Sequence, residues 1–107
     1  MNEKFTSFDV ASLLRTDEAI EDFMTDALES GDARLIAHAI GIVARAKGMT
    51  KVADDTGLAR EALYRSFSED GNPSLKSTLA VLKSLGFGLA ARSLPAAATA
   101  APEQAAE

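Results

Sequence analysis

Residues 49–67 read MTKVADDTGLAREALYRSF, and the small residues in this run stand where two short helices must nearly touch. Met49 to Thr56 is expected to be a short helix closed by Gly57, and Ala59 to Phe67 a second that turns Leu58, Ala62, Leu63 and Phe67 inward. Val52 and Ala53 fall on the inner face of the first. Gly57, four residues after Ala53, permits a sharp turn with positive φ. Leu58 and Leu63, one and six residues after the glycine, plug the gap between the helices. This is the helix-turn-helix pattern. A side chain bulkier than alanine at residue 53 would push the second helix off the first, so the spacing has a steric cause.

A second helix placed this way enters the DNA major groove, and it turns Ala59, Arg60, Glu61, Tyr64, Arg65 and Ser68 outward. Arg60 and Arg65 are the strongest base readers. An arginine fork donates two hydrogen bonds to guanine O6 and N7, worth roughly 1 to 3 kcal/mol of discrimination. Glu61 is placed to accept from cytosine N4, and Tyr64 to meet a phosphate or a thymine methyl. Thr50 and Lys51 sit where side chains and backbone N–H groups grip phosphates, with Lys47, Asn72, Ser74 and Lys76 behind them. Glu61 and Arg65 also stand four apart, so a solvated helix pair is the alternative for them.

Outward from this stretch the chain is helical on both sides. Between Thr16 and Ser30 the apolar residues Ile20, Phe23, Met24, Ala27 and Leu28 form one helical face, and the reverse face is almost wholly acidic. Thr16 is its expected cap and Gly31 its left-handed stop. A weaker turn lies at Asp9 to Leu14, with Phe5, Phe8, Val10, Leu13 and Leu14 as apolar surface. Asp32 caps a core helix on which Leu35, Ile36, Ala39, Ile40, Val43 and Ala44 repeat, ending at Gly48. Asp70 to Pro73 form a loop. Ser74 or a neighbour starts the last helix, with Leu75, Leu79, Leu82 and Leu85 at near-heptad spacing and Gly86 as its stop. Phe87 to Leu94 reads as a short strand or an extended arm. The Ala/Pro tail beyond it, with no aliphatic side chain larger than alanine, reads as disordered. Nothing alternates with strand period over a useful length, so the fold class is all-α.

Composition removes most chemistry. The 107 residues, 47% hydrophobic and 25% charged, suffice for one small domain. With no cysteine and one histidine, neither a thiolate nor a transition-metal site has a sensible ligand set, so no cofactor and no metal are implied. His38 reads as packed or capping rather than catalytic, and Asp54 and Asp55 point to different faces rather than forming a carboxylate pair. The chain is not expected to be an enzyme. Met1 to Val10 lacks the apolar run of a signal peptide and no stretch is long enough to span a bilayer, so a cytoplasmic protein with no membrane partner is expected.

The net charge of −5 hides opposed segments. Residues 1–32 hold nine acids against two bases, a balance of −7, whereas residues 33–92 hold nine bases against five acids, a balance of +4. An acidic front on a basic body suggests two interaction surfaces of opposite sign.

Three segments together, DEAIEDFMTDALESGD at Asp17 to Asp32, GMTKVADDTGLAREALYRSFSEDGNPSL at Gly48 to Leu75 and LAVLKSLG at Leu79 to Gly86, resemble the HigA-like antitoxins of addiction modules. That family carries a lambda-repressor-like helix-turn-helix domain of the XRE type. GLAREALYR combined with GNPSL is more specific than the bare spacing, while the Ala/Pro tail departs from the pattern. The resemblance, from Ala19 to Leu85, implies a domain of about five helices with the acidic helix beside a repressor-like core. It also implies two partners, a small basic RelE/ParE-superfamily toxin and a double-stranded DNA operator through which the protein represses its own operon. Residues 1–31 are then the acidic, possible toxin-contacting segment, residues 32–93 the DNA-binding domain and residues 94–107 the tail.

The apolar stripe of the first helix is expected to pack on its own domain, leaving Asp22, Asp26 and Glu29 to the toxin. A single small module touches few base pairs, so a homodimer reading half-sites roughly 34 Å apart is expected. Leu82, Leu85, Phe87 and Leu89 are its candidate interface, with closure of the monomer core as their alternative. Two other functions compete: a stand-alone XRE-type regulator with no toxin, and a helical interaction module that binds no DNA.

Overall fold

A computed structural model describes residues 14–95. Those residues form five α-helices, with no strand among them: α1 (Asp17–Glu29), α2 (Ala33–Lys47), α3 (Met49–Thr56), α4 (Arg60–Ser66) and α5 (Leu75–Leu85). The fold is all-α. No helix among the described residues is long and apolar enough to cross a membrane. The expected turn at Asp9 to Leu14 and the tail beyond Pro95 lie outside the described residues, except for Leu14, which is buried at the edge of the core.

α1, α2 and α5 each begin on a side-chain cap, whereas α3 and α4 have none. The Thr16 hydroxyl accepts from the Ala19 N–H at 3.0 Å, and the Asp32 carboxylate accepts from Arg34 and Leu35 N–H at 3.0 and 3.3 Å. Ser74 accepts from the Ser77 N–H at 3.0 Å. These bonds satisfy donors that a helix start would otherwise leave open. Gly86 closes α5 at φ 92°, a left-handed conformation that side chains rarely adopt.

α2 is the centre. α1, α3, α4 and α5 all pack on it, and its Ile40 and Val43 are 0% exposed. Ile20 and Met24 of α1 lie in the same apolar cluster as Ile40, Val43, Leu63, Phe67 and Leu82. The acidic helix is therefore part of the core rather than an appendage, and its apolar stripe is spent within the chain's own core.

The leucine repeats do not all point inward. Leu35, placed by its spacing on the core face of α2, is 46% exposed, and Leu75 and Leu79 of α5 are 68% and 45% exposed. α5 packs on α2 and α3 through Val81, Leu82 and Leu85 instead. Leu75 is the first residue of α5, and Leu79 stands roughly 60° around the helix from Leu82, outside the arc that the neighbours cover. Leu82 and Leu85, 1% and 5% exposed, close the protomer's own core, the alternative left open for them above; Phe87 is half-buried against that core and Leu89 is exposed. Phe87 to Leu94 forms no strand. The segment has no regular secondary structure and is tied back to α1 by an ion pair between the Arg92 guanidinium and the Glu29 carboxylate.

Two glycines set the seat of α4. A Cβ built on Gly41, in the middle of α2, would lie 1.9 Å from the Phe67 carbonyl oxygen, and one on Gly71 would lie 1.9 Å from the Ser66 carbonyl oxygen. The end of α4 is held between these two backbones at distances that no side chain fits.

Candidate nucleic-acid interface

The turn between α3 and α4 runs from Thr56, the last residue of α3, to Ala59. Thr56 donates its hydroxyl to the Val52 carbonyl at 2.8 Å and accepts from the Leu58 N–H at 3.2 Å. Gly57 takes φ 78° and donates its N–H to the Ala53 carbonyl at 2.9 Å. A Cβ on Gly57 would meet nothing, so its requirement is the backbone angle and not space. Ala59 then holds extended backbone, φ −70° and ψ 142°, which makes it the cap residue and moves the start of α4 to Arg60. Leu63 and Phe67 are each 1% exposed and Leu58 and Ala53 pack against the same core. The inward half of α4 is thus the apolar wedge expected from the spacing.

Its outward half carries Arg60, Glu61, Tyr64 and Arg65, all exposed, next to exposed Ala59. Glu61 and Arg65 do not pair with each other, and among the described residues neither side chain has an ion-pair partner. The Arg60 guanidinium lies over the Tyr64 ring, 5.8 Å from its centroid. Ser68 departs from the outward face assigned to it. It follows the end of α4, is half-buried, and donates its hydroxyl to the Arg65 carbonyl at 3.0 Å.

The other predicted contacts are scattered around this face. Thr50 is exposed on the first turn of α3. Lys51 is exposed too, but its Nζ lies 2.7 Å from Asp55 Oδ2, which also accepts the Ser84 hydroxyl of α5 at 2.9 Å. The Lys51 hydrogen bond, then that of Ser84, holds the Asp55 carboxyl below the usual carboxylate range. Asn72 and Lys76 are exposed. Lys47 lies 3.9 Å from Asp17. On α1, Asp22 and Asp26 are exposed with no ion-pair partner among the described residues, while Glu29 is occupied by Arg92.

Several residues that build this surface escaped the sequence reading. Arg34 ties the start of α2 to the loop before α5, with its Nη2 3.2 Å from the Asp70 carboxylate and its Nε 3.3 Å from the Glu69 carbonyl. Gly41 and Ser84 also went unread. For Gly41 a signal exists: glycine inside a helix costs about 1 kcal/mol relative to alanine, so one in an apolar helix marks a close approach. Among the described residues, no group of three or more histidine, cysteine or acidic side chains is arranged to hold a metal ion.

With the helices and their exposed face described, comparison with known proteins places the chain. Residues 4–93 match the family model described as probable addiction module antidote protein. The chain belongs to that family. An uncharacterized protein of Haemophilus influenzae is 38% identical over 87 residues, covering 81% of this chain and 90% of its own length. No solved structure matches the chain. Membership in an antidote family points to a regulatory protein rather than an enzyme.

Proposed function

We propose that the chain is the antitoxin of a type II module, in the manner of HigA-like proteins with an XRE-type helix-turn-helix. In this reading it neutralises a small basic toxin of the RelE/ParE superfamily in the cytoplasm and represses its own operon. The observation that carries the DNA half is the outward face of α4, whose two arginines are exposed and bound to no carboxylate among the described residues, beside a turn locked by Gly57 and Thr56. Four other cations, Arg34, Lys47, Lys51 and Arg92, each face a carboxylate. Arg45, Lys76 and Lys83 also have no ion-pair partner among the described residues, so what sets Arg60 and Arg65 apart is their place together on the exposed face of the helix that follows the turn, where an anionic duplex meets no paired carboxylate.

Arg60, Glu61, Tyr64 and Arg65 then read bases from α4, flanked by Ala59 and Ser68, while Thr50, Lys51, Asn72 and Lys76 contact phosphates. Residues 32–93 form the DNA-binding unit. Asp22 and Asp26, on residues 1–31, present unpaired charge to a basic toxin, and Glu29 joins them once Arg92 yields. A homodimer brings two α4 faces to successive major grooves. With Leu82 and Leu85 spent in the core, Phe87 and Leu89 are the arm residues left for its interface.

The test is a salt series with DNA from upstream of the gene, together with co-purification of the product of the adjoining reading frame. Arg60→Ala and Arg65→Ala should each lose roughly 1 to 3 kcal/mol of discrimination. Lys51→Ala should weaken all sequences alike and flatten the salt slope. Wild-type protein that binds upstream DNA no better than unrelated DNA, with no effect of these variants, would reject operon repression. Absence of a complex with the small basic neighbour would reject the toxin.

A further inference from the structure

The two arginines of α4 are not equivalent. Arg60 lies over the Tyr64 ring, four residues on and on the same side of the helix, with its Cζ 5.8 Å from the ring centroid. Arg65 has neither ring nor carboxylate. A guanidinium stacked on an aromatic ring retains N–H donors for a planar acceptor pair and has less rotamer freedom left to lose on binding. Both side chains are exposed, so the stack is presented to a partner rather than buried. A fork held over a ring matches the planar O6 and N7 acceptor pair of a guanine edge.

We infer that Tyr64 is a positioning residue that holds Arg60 as a preorganised reader of guanine, so that one base pair under the start of α4 is a required G·C. The inference rests on the DNA-binding reading and revises the role of Tyr64, whose ring serves Arg60 rather than meeting a phosphate or a thymine methyl.

The experiment is selection from a randomised half-site by the full chain and by Tyr64→Phe, Tyr64→Ala and Arg60→Lys. Nuclear magnetic resonance of the free proteins reports ring-current shifts of the Arg60 side chain. The wild type should select guanine at one position and show shifted Arg60 protons. Tyr64→Phe should keep both. Tyr64→Ala should lose the shifts and weaken guanine preference at that position by about two- to fivefold, the range expected of an exposed cation–ring contact. Arg60→Lys should weaken the preference and remove its dependence on Tyr64, since an ammonium still donates to guanine but has no planar fork for the ring to orient.

A Tyr64→Ala protein that keeps the wild-type profile, or weakens evenly at all positions, would overturn the inference. Unshifted Arg60 protons in the wild type would overturn it as well. Shifted protons in a wild type that binds no DNA would locate the failure in the DNA-binding reading, and the guanine assignment would fall with it.

Discussion

α1 and α4 are both amphipathic, and they use that character in opposite ways. α1 is 13 residues long and secures itself by area, with Ile20, Met24 and Ala27 buried and Phe23 and Leu28 half-buried. Side chains of this kind contribute about 1.5 to 3 kcal/mol each when fully buried. α4 has only seven residues and one buried side chain within its bounds, Leu63. Its orientation is secured by fit: the Gly57 turn before it and the two glycine backbones against its end. A helix held by area tolerates changes to its outer face, whereas a helix held by fit loses its aim when a neighbour gains a methyl group.

That contrast can be broken in graded steps. The largest effect should come from Met24→Ala, which removes a core side chain of α1 and should cost about 2 to 5 kcal/mol in chemical denaturation. A loss below about 1 kcal/mol would mean that α1 is not integral to the fold. Truncation before residue 31 is consequently a poor probe of toxin binding, because it removes the core residues Ile20, Met24 and Ala27. Gly41→Ala should follow, with a loss of about 1 to 3 kcal/mol from overpacking against the Phe67 carbonyl, and DNA affinity should fall more than stability alone accounts for. Normal stability and normal DNA binding in this variant would remove the argument from fit.

Smaller effects sharpen the comparison. Asp32→Ala should lose about 1 kcal/mol of thermal stability through its missing cap on α2. Asp22→Lys with Asp26→Lys should leave stability within about 0.5 kcal/mol while slowing association with a basic partner, and an unchanged association rate would move the toxin contact elsewhere. The smallest is a pH effect at Asp55. Its carboxyl is held low by Lys51 and Ser84, so its contribution is present above the unfolded carboxylate value of 3.8 and is lost as pH falls through the lower folded value. Asp55→Asn should therefore be slightly less stable than wild type near neutrality and indistinguishable from it in strong acid. A difference that persists unchanged through strong acid would exclude this linkage.

Features decided by one residue and its nearest neighbours were legible in the sequence. Thr16, Asp32 and Ser74 cap helices, and Gly57 and Gly86 take left-handed angles, because each choice is made within one turn of chain. The inward wedge of Leu63 and Phe67 was legible for the same reason. What spacing could not supply was the width of the arc that a neighbouring helix covers, so Leu35 reads as core and is exposed, and near-heptad spacing does not tell exposed Leu75 and Leu79 from buried Leu82 and Leu85. Contacts between distant segments were equally hidden. Lys51 reads as a free phosphate ligand until α5 brings Ser84 to Asp55, and Glu29 reads as an open acid until the arm returns Arg92 to it. Gly41 combines both difficulties, since its meaning depends on a carbonyl 26 positions later.

The hub position of α2 has a consequence for how this molecule comes apart. Since every other described helix leans on the same rod, none can detach without uncovering the side chains that hold the rest. Melting should proceed as one cooperative transition, its calorimetric and van't Hoff enthalpies agreeing. A protease that cuts once between α1 and α2 should leave no half that stands by itself, so the acidic face and the basic face persist together and vanish together.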